Sequence, residues 1–183
     1  ATVAPVNQLN PSGQPNMILK NVPVSTNAEA LTLTKPQVYF GELTNDYVIV
    51  NTNEMEFDYP KGDSNEMTKY EGAGGIELNL FNRSLFATRE RDLKILISGG
   101  INSDSKILIN RNIKTRVQKV APFIRFDEDP YAVIADGRIH YIIDGYTATN
   151  FYPYSEPFSD KSNTNYIRNS VKAVVDSYDG TID

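Results

Sequence analysis

Apolar residues change their spacing twice along the chain, and this change is the strongest constraint on the fold. Up to Tyr59, and again from Tyr131, they form short runs or alternate with polar residues, which is typical of β-strands. Between Leu78 and Val120 they recur every three or four residues, which is typical of helices. Strands, then two helices, then strands predict an α+β fold with an antiparallel sheet and hairpins around two central helices.

The two central helices have recognisable ends. The first is predicted over residues 78–98 and stops before Gly99 and Gly100, since glycine often follows a helix. The second starts after an N-cap within residues 103–105 and ends before Pro122, which cannot continue a helix. The buried stripe expected for this second helix has four members: Ile109, Ile113, Val117 and Val120.

Short strands are predicted on both sides of the helices. Before them we expect strands at residues 17–19, 31–33, 38–40, 47–50 and 56–59, then a polar loop over residues 62–75. After them, Asp136 and Gly137 supply the two positive φ angles of a type I′ turn, which predicts a hairpin between residues 131–135 and 138–144. The last strand is expected at residues 171–175.

The predicted organisation is one domain with an extended start. Residues 1–35 contain four prolines and are expected to form a lead-in, and residues 36–183 a single α+β domain. Residues 181–183 follow a turn and would begin a return strand that is very short. We therefore expect the chain to be a fragment of a longer protein, cut within its last hairpin.

Composition excludes several kinds of chemistry. The 183 residues include no cysteine and one histidine, and 18 basic against 23 acidic side chains give a net charge of −5. Thiol catalysis, cysteine-bound metals and two-histidine metal motifs are excluded, and the acidic balance argues against a nucleic-acid partner. The single His140 shares a predicted strand face with Arg138 and Asp144, either as a base or, as we favour, as an ordinary strand residue.

A loop rich in aromatic residues and proline is the first candidate binding site. Tyr152, Tyr154 and Phe158 lie in it, beside Phe151 and two prolines. Exposed rings of this kind stack on sugars or on a peptide. The alternative, which we favour, is that the rings pack onto the core of the domain.

A basic stretch within the acidic chain is the second candidate. Six basic and no acidic side chains occur between residues 106 and 125. Arg111 and Lys114 are therefore candidates for contact with lipid headgroups or with an anionic envelope polymer. The alternative is a solvated helix face that nearby acidic loops balance.

Acidic residues and glycines supply weaker candidates. Asp127 and Asp129 lie in an acidic run whose carboxylates suit Ca²⁺, although solvated turn residues are the alternative. Glu56 and Asp58 are one of several neighbouring carboxylate pairs, but a glycan hydrolase usually takes its two carboxylates from distant segments, so a local pair is weak support for that chemistry. The glycine-rich residues 72–75 precede the first helix, where they form either an anion cradle or, as we favour, a plain turn.

Blocks of sequence along nearly the whole chain carry a family resemblance. They lie at residues 39–42, 46–52, 56–60, 70–75, 116–123, 129–131, 136–138, 152–155 and 165–172. Together they closely resemble the bacterial uncharacterised protein family 0182, whose members are large membrane proteins with several N-terminal transmembrane helices and a large extracytoplasmic region. The resemblance implies that this chain is part of that extracytoplasmic region. It carries over no catalytic residue.

The leading expectation is a non-enzymatic extracytoplasmic domain of a membrane protein in the bacterial cell envelope, with a role in binding, sensing or assembly. Its expected partners are its own transmembrane region, the remaining extracytoplasmic segments, and an envelope polymer or protein. No cofactor is expected, with Ca²⁺ as the exception to test. The alternatives are a glycan-acting envelope hydrolase that uses Asp and Glu carboxylates, and a calcium-stabilised interaction module.

Overall fold

The computed structural model describes residues 9–20, 24–26, 31–159 and 162–183. In chain order these residues form β1 Leu19–Lys20, β2 Ser25–Thr26, β3 Val48–Val50, β4 Glu56–Lys61, β5 Ser64–Thr68, β6 Ile76–Glu77, α1 Leu80–Glu90, α2 Lys94–Ile97, β7 Lys106–Leu108, α3 Ile113–Val120, β8 Arg125–Phe126, β9 Tyr131–Ala135, β10 Arg138–Thr149 and β11 Tyr166–Asp176. Strands paired in antiparallel fashion surround helices in the middle of the chain. The predicted α+β fold is confirmed.

Two sheets and two small hairpins organise the strands. β10 pairs with β11 over most of its length, and also with β8 and β9, to give a four-stranded antiparallel sheet. β7 lies between β3 and β6 in a three-stranded antiparallel sheet. The pairs β4–β5 and β1–β2 stand as separate two-stranded units.

The turn between β9 and β10 forms as predicted. Asp136 has φ 52° and Gly137 has φ 74°, the two left-handed positions that a type I′ turn requires. The carbonyl of Gly137 also accepts hydrogen bonds from the backbone N–H groups of Thr34 and Lys35. The turn therefore closes the hairpin and also binds the backbone at residues 34 and 35.

The first predicted helix is wrong in its length. α1 ends at Glu90 because Arg91 adopts the left-handed conformation at φ 56°, and the N–H of this residue donates to the carbonyl of Ala87. The chain then turns before the four-residue α2. The apolar residues keep their helical spacing through this break. α2 folds back beside α1, and its Ile95 is buried in the same cluster as Phe86 of α1.

The second predicted helix begins later than its apolar pattern indicates. Residues 106–108 form β7, and the helix starts only after Asn112, whose side chain accepts from the N–H of Thr115 as an N-cap. A short apolar run that is buried on both faces looks alike in a strand and in a helix. Only the pairing of β7 with β3 and β6 selects the strand. Val120, which was expected to be buried, is 66% exposed.

Other predicted strands differ in their positions. Residues 38–40 form no strand, because the N–H groups of Tyr39 and Phe40 both donate to the carbonyl of Ser177 and make no ladder. Residues 31–33 also form none. The predicted loop over 62–75 contains β5, which follows a tight turn at Gly62 with φ 61°. The strand expected at 17–19 lies at 19–20 instead.

Part of the predicted lead-in lies outside the described residues, namely residues 1–8, 21–23 and 27–30. The division into a lead-in over residues 1–35 and a domain over residues 36–183 therefore stays a prediction. At the other end, Ile182 bridges to Val175 and the backbones of Val174 and Asp183 exchange two hydrogen bonds. The short return strand is thus present as one bridge.

The main core lies where the two sheets meet α3. It joins Val50 and Leu108 of the three-stranded sheet to Ile143 and Val175 of the four-stranded sheet, with Ile113 and Val117 of α3 between them. A second cluster under α1 and α2 contains Leu78, Phe86, Ala87, Ile95 and Ile107. Burying one large apolar side chain contributes about 1.5–3 kcal/mol, so these two clusters hold the helices on the sheets.

Candidate binding site

Asn165 fastens residues 152–155 of the loop that follows β10. The side chain of Asn165 accepts from the N–H of Tyr152 at 3.1 Å and donates to the carbonyl oxygens of Tyr152 at 2.8 Å and Ser155 at 3.1 Å. The hydroxyl of Ser155 donates to the carbonyl of Asn165 at 2.8 Å. Because one side chain bonds to both Tyr152 and Ser155, this described part of the loop has a defined conformation.

This ordered loop points its aromatic rings into solvent. Phe151 is 85% exposed, Tyr154 is fully exposed, and Tyr152 and Phe158 are more than half exposed. Tyr152 stacks one face of its ring on Tyr166, with the centroids 4.8 Å apart and the planes 11° from parallel. The favoured interpretation, in which these rings pack onto the core, is therefore wrong, since the loop is fastened by its backbone.

Tyr154 also has an unusual backbone. Its φ is 59°, in the left-handed region, which costs a residue with a Cβ about 1–2 kcal/mol. Its ring gains nothing from burial. The fold therefore supports at this position a backbone and a side chain that do not stabilise it, a combination that occurs at functional sites.

A polar cleft adjoins the aromatic loop. It has a volume of about 410 Å³ and is lined by Arg125, Ala148, Thr149, Asn150, Ser162, Asn163 and Thr164. The guanidinium of Arg125 donates to the hydroxyl of Thr164 at 3.2 Å. A second hollow shares Ser162 and Asn163 and extends to Glu156 and Pro157. Neutral amides and hydroxyl groups therefore dominate this surface.

The two basic candidates make bonds within the domain. The Nε of Arg111 donates to the carbonyl of Tyr39 at 2.7 Å, and burial lowers the pKa of this guanidinium. The Nζ of Lys114 donates to the carbonyl of Glu128 at 2.9 Å. Arg116 donates to the carbonyl of Gly180 and lies 4.6 Å above the ring of Phe40. The basic stretch therefore holds α3 to its surroundings.

The acidic candidates lie in a turn after β8. Asp127 accepts from the N–H of Glu128 at 2.7 Å, and Asp129 is exposed. Among the described residues, no three acidic or imidazole side chains come together as a group that could hold a metal ion. The calcium site stays a prediction.

The remaining carboxylates and the histidine take structural positions. Glu56 accepts from the hydroxyl of Tyr39 and from the N–H groups of Asn51 and Tyr70. Arg138 pairs with Asp176 at 2.9 Å and with Asp179 at 2.5 Å. His140 lies half-buried on the same strand as Arg138.

The glycine-rich residues 72–75 close over a buried tyrosine. A Cβ on Gly72 would lie 2.2 Å from the hydroxyl of Tyr70, and one on Gly74 would lie 2.3 Å from the carbonyl of Asp179. The Tyr70 ring stacks on Tyr178, and burial raises the pKa of Tyr70 to about 12. These glycines therefore permit close packing around a hydroxyl group.

A second surface has no counterpart among the sequence-based candidates. We call it the hairpin surface, and it comprises six exposed apolar side chains: Leu80, Phe81 and Leu85 of α1, Leu93 at the N-cap of α2, and Leu96 and Ile97 of α2. Phe81 and Leu85 continue the apolar spacing of the predicted helix, and both side chains lie in solvent. The buried side of α1 instead carries Phe86 and Ala87, so the helix is apolar on both sides. Such a helix is typical of one that is covered by something else.

Within the described residues, no helix has the length and apolar character required to cross a membrane.

Comparison with known proteins identifies relatives over the whole chain. The family described as Uncharacterised protein family (UPF0182) matches residues 1–183. A UPF0182 protein of Clostridium botulinum (strain Loch Maree / Type A3) is 53% identical over 180 residues, which cover 98% of this chain and 20% of that protein. A UPF0182 protein of Alkaliphilus metalliredigens (strain QYMF) is 49% identical over 181 residues, covering 99% and 19%.

No solved structure matches this chain. The chain spans about one fifth of the length of the curated relatives it matches. All of the relatives named here are bacterial. With a family match over residues 1–183 and half of its residues identical to those of curated members, this chain belongs to the uncharacterised protein family UPF0182.

Proposed function

We propose that this chain is an extracytoplasmic domain of a bacterial integral membrane protein and that it has a non-enzymatic role in assembly at the cell envelope. In this role the hairpin surface packs against other segments of the same polypeptide, which make up about four fifths of the length of the relatives. The resemblance of its sequence blocks to a membrane-protein family supports the location. The family match supports membership alone, so the location is a prediction.

The hairpin surface is the observation that carries the proposal. Six large apolar side chains lie exposed within 18 residues, although α1 and α2 already bury Phe86 and Ile95 on their other side. Large exposed apolar side chains that cluster in this way often mark an interaction site. The occupant that we infer is a segment of the parent polypeptide, because most of that polypeptide lies outside this chain.

Two of the cationic side chains on the hairpin make bonds within it. Arg83 turns inward and donates to the carbonyl oxygens of Ile95, Leu96 and Ser98. Arg89 pairs with Glu90 at 3.2 Å. The guanidinium groups of Arg83 and Arg89 are thus engaged within the hairpin, whereas Arg91 and Lys94 beside them are exposed.

Cysteine labelling of the full-length parent protein and of the isolated chain tests this packing. The isolated chain has no native cysteine, so Leu85→Cys and Ile97→Cys introduce single reporters on the hairpin surface. Both are expected to react rapidly with a maleimide in the isolated chain and at least about tenfold more slowly in the parent. Leu43→Cys is the matched control, since Leu43 is 91% exposed and lies outside the hairpin. Equal reactivity in both proteins at residues 85 and 97 would exclude the proposed packing.

The non-enzymatic part of the proposal is supported by the bonds that one carboxylate pair, Glu56 and Asp58, makes within the fold. Glu56 accepts three hydrogen bonds, and Asp58 accepts one from Gln37 at 2.8 Å. Both carboxylates therefore already accept hydrogen bonds from groups within the fold.

Calcium dependence is the second alternative, and melting curves test it. Since Asp127 bonds to its own turn, we expect the same melting temperature in millimolar Ca²⁺ and in chelator. A rise in calcium would favour the calcium-stabilised module, because a ligand that binds only the folded state raises its stability.

A further inference from the structure

The aromatic loop and the polar cleft adjoin at the end of β10. The loop follows β10 directly, and the cleft is lined by Thr149 and Asn150 at the end of that strand. The N–H of Phe151 donates to the hydroxyl of Thr149 at 3.1 Å, and the N–H of Asn165 donates to the carbonyl of Thr149 at 3.0 Å. Phe151, the first exposed aromatic residue of the loop, thus directly follows Asn150 of the cleft lining.

The lining selects the chemical class of a ligand. The cleft offers amide and hydroxyl groups, each of which both donates and accepts hydrogen bonds. Among the described residues that line the cleft, the one cation is Arg125, which is bonded to Thr164, whereas a site for a phosphate or a nucleic acid requires concentrated positive charge. The cleft also lacks the apolar lining that a lipophilic ligand requires.

Aromatic rings beside neutral polar groups suit a carbohydrate. A sugar ring has faces of C–H groups that pack on an aromatic face, and a rim of hydroxyl groups that bond to amides and hydroxyls. Tyr152 presents one face, since Tyr166 covers the other, and Tyr154 is held fully exposed in a costly backbone conformation. A cleft of about 410 Å³ lies in the size range of small-ligand sites.

We infer that this surface binds a neutral saccharide chain, with the rings of Tyr152 and Tyr154 under successive sugar units and the amides of Asn150 and Asn163 on their hydroxyl groups. Binding is by recognition alone and includes no covalent step. The inference is independent of the proposed packing of the hairpin surface, because it concerns a different part of the chain and is testable in the isolated chain.

The test is a titration of the chain with three neutral hexasaccharides, made of glucose in β-linkage, glucose in α-linkage and N-acetylglucosamine, followed by amide NMR shifts. We expect saturable shifts at residues 149–154 and 163–165 with at least one of them. Tyr154→Ala should weaken binding by about tenfold or more. Phe57→Ala is the matched control, since Phe57 is an exposed ring on β4 in a separate hairpin, and it should bind like the wild type.

Three outcomes would overturn the inference. The first is the absence of saturable binding to all three saccharides. The second is an equal loss of binding in Tyr154→Ala and Phe57→Ala, which would indicate non-specific contact. The third is binding to phosphatidylcholine vesicles without binding to any saccharide, which would assign the exposed rings to a membrane interface. If Leu85→Cys and Ile97→Cys reacted equally fast in the parent protein and in the isolated chain, the expected results of this titration would stay the same.

Discussion

Individual residues in this protein carry conformations that only their contacts explain. Tyr154 holds a left-handed backbone with an exposed ring, whereas Gly72 lacks a side chain because the hydroxyl of Tyr70 occupies that space. The first residue opposes stability and the second serves it. Replacing Tyr154 with glycine is therefore expected to raise the free energy of unfolding, and replacing Gly72 with alanine to lower it.

Replacing Tyr154 with glycine should stabilise the protein. Glycine adopts a positive φ without a Cβ clash, so Tyr154→Gly is expected to raise the free energy of unfolding by about 1 kcal/mol. Urea denaturation followed by circular dichroism measures it. Tyr154→Ala is the control, since it removes the ring and keeps the strain. Equal stabilities of the two variants would show that the left-handed backbone costs nothing here.

Replacing Gly72 with alanine should destabilise the protein. The new Cβ would lie 2.2 Å from the hydroxyl of Tyr70 and 2.4 Å from a carboxylate oxygen of Asp179, and overpacking of this kind costs about 1–3 kcal/mol. Gly99→Ala is the matched control, because nothing lies within 4 Å of a Cβ at that position. Thermal melting of both variants makes the comparison, and a melting temperature for Gly72→Ala equal to that of the control would contradict the packing seen here.

At the scale of elements, the ends of β10 and β11 are joined by ionic contacts. Arg138 at the start of β10 pairs with Asp176 at the end of β11 and with Asp179 in the following turn. Burial alone would raise the pKa of Asp176, but the N–H of Asp179, the guanidinium of Arg138 and the N–H of Tyr178 outweigh it, so the pKa lies below its ordinary value. The charged carboxylate therefore stabilises the junction of strand and turn.

Stability at this junction should depend on pH. A carboxyl group with a lowered pKa contributes its full stability above the unfolded pKa of about 4 and loses it as the pH falls through the folded value. Asp176→Asn is therefore expected to cost about 2 kcal/mol at pH 7, since hydrogen bonds to a charged group are lost. The difference from the wild type should shrink below about pH 4. Denaturation at several pH values measures both.

Asp144→Asn is the control for this pH dependence. Asp144 pairs with Lys172 at 2.5 Å, but more than half of the Lys172 side chain is exposed. Solvent screens such a pair, so its loss should cost less stability than the loss of the Asp176 contacts. If Asp144→Asn cost as much as Asp176→Asn at pH 7, burial would not be what distinguishes the two carboxylates.

At the scale of the whole molecule, the core and the hairpin surface have separate roles. The hairpin surface contributes little to folding because its side chains already lie in water in the isolated chain. Leu85→Lys combined with Ile97→Lys should thus change the free energy of unfolding by less than about 0.5 kcal/mol. The same variant should bind several-fold less of a fluorescent apolar dye than the wild type.

Ile95→Lys is the matched control on the same hairpin. Ile95 is 2% exposed and packs in the cluster under α1 and α2. A charge there is expected to cost several kcal/mol, since it is buried without a partner. Dye binding that stays unchanged in the Leu85→Lys and Ile97→Lys variant would show that the dye, and by extension a partner, uses another surface.

Local chemistry let the sequence predict some of these features. The hairpin at Asp136 and Gly137 follows from φ requirements within two residues, and β3 follows from a run of β-branched residues. The exposed aromatic loop was recognised as a candidate site, but its orientation was not. Asn165 fixes that orientation from 13 residues away, and no local pattern reports such a bond.

The sequence by itself determined the fold class, the excluded chemistries and the family, because each depends on residue type and order alone. Only the tertiary structure decided that residues 106–108 form a strand between β3 and β6, that the basic stretch bonds inward, and that α1 presents Phe81 and Leu85 to solvent. Spacing shows that a segment has an apolar face, but which face meets the core depends on partners that are distant in sequence.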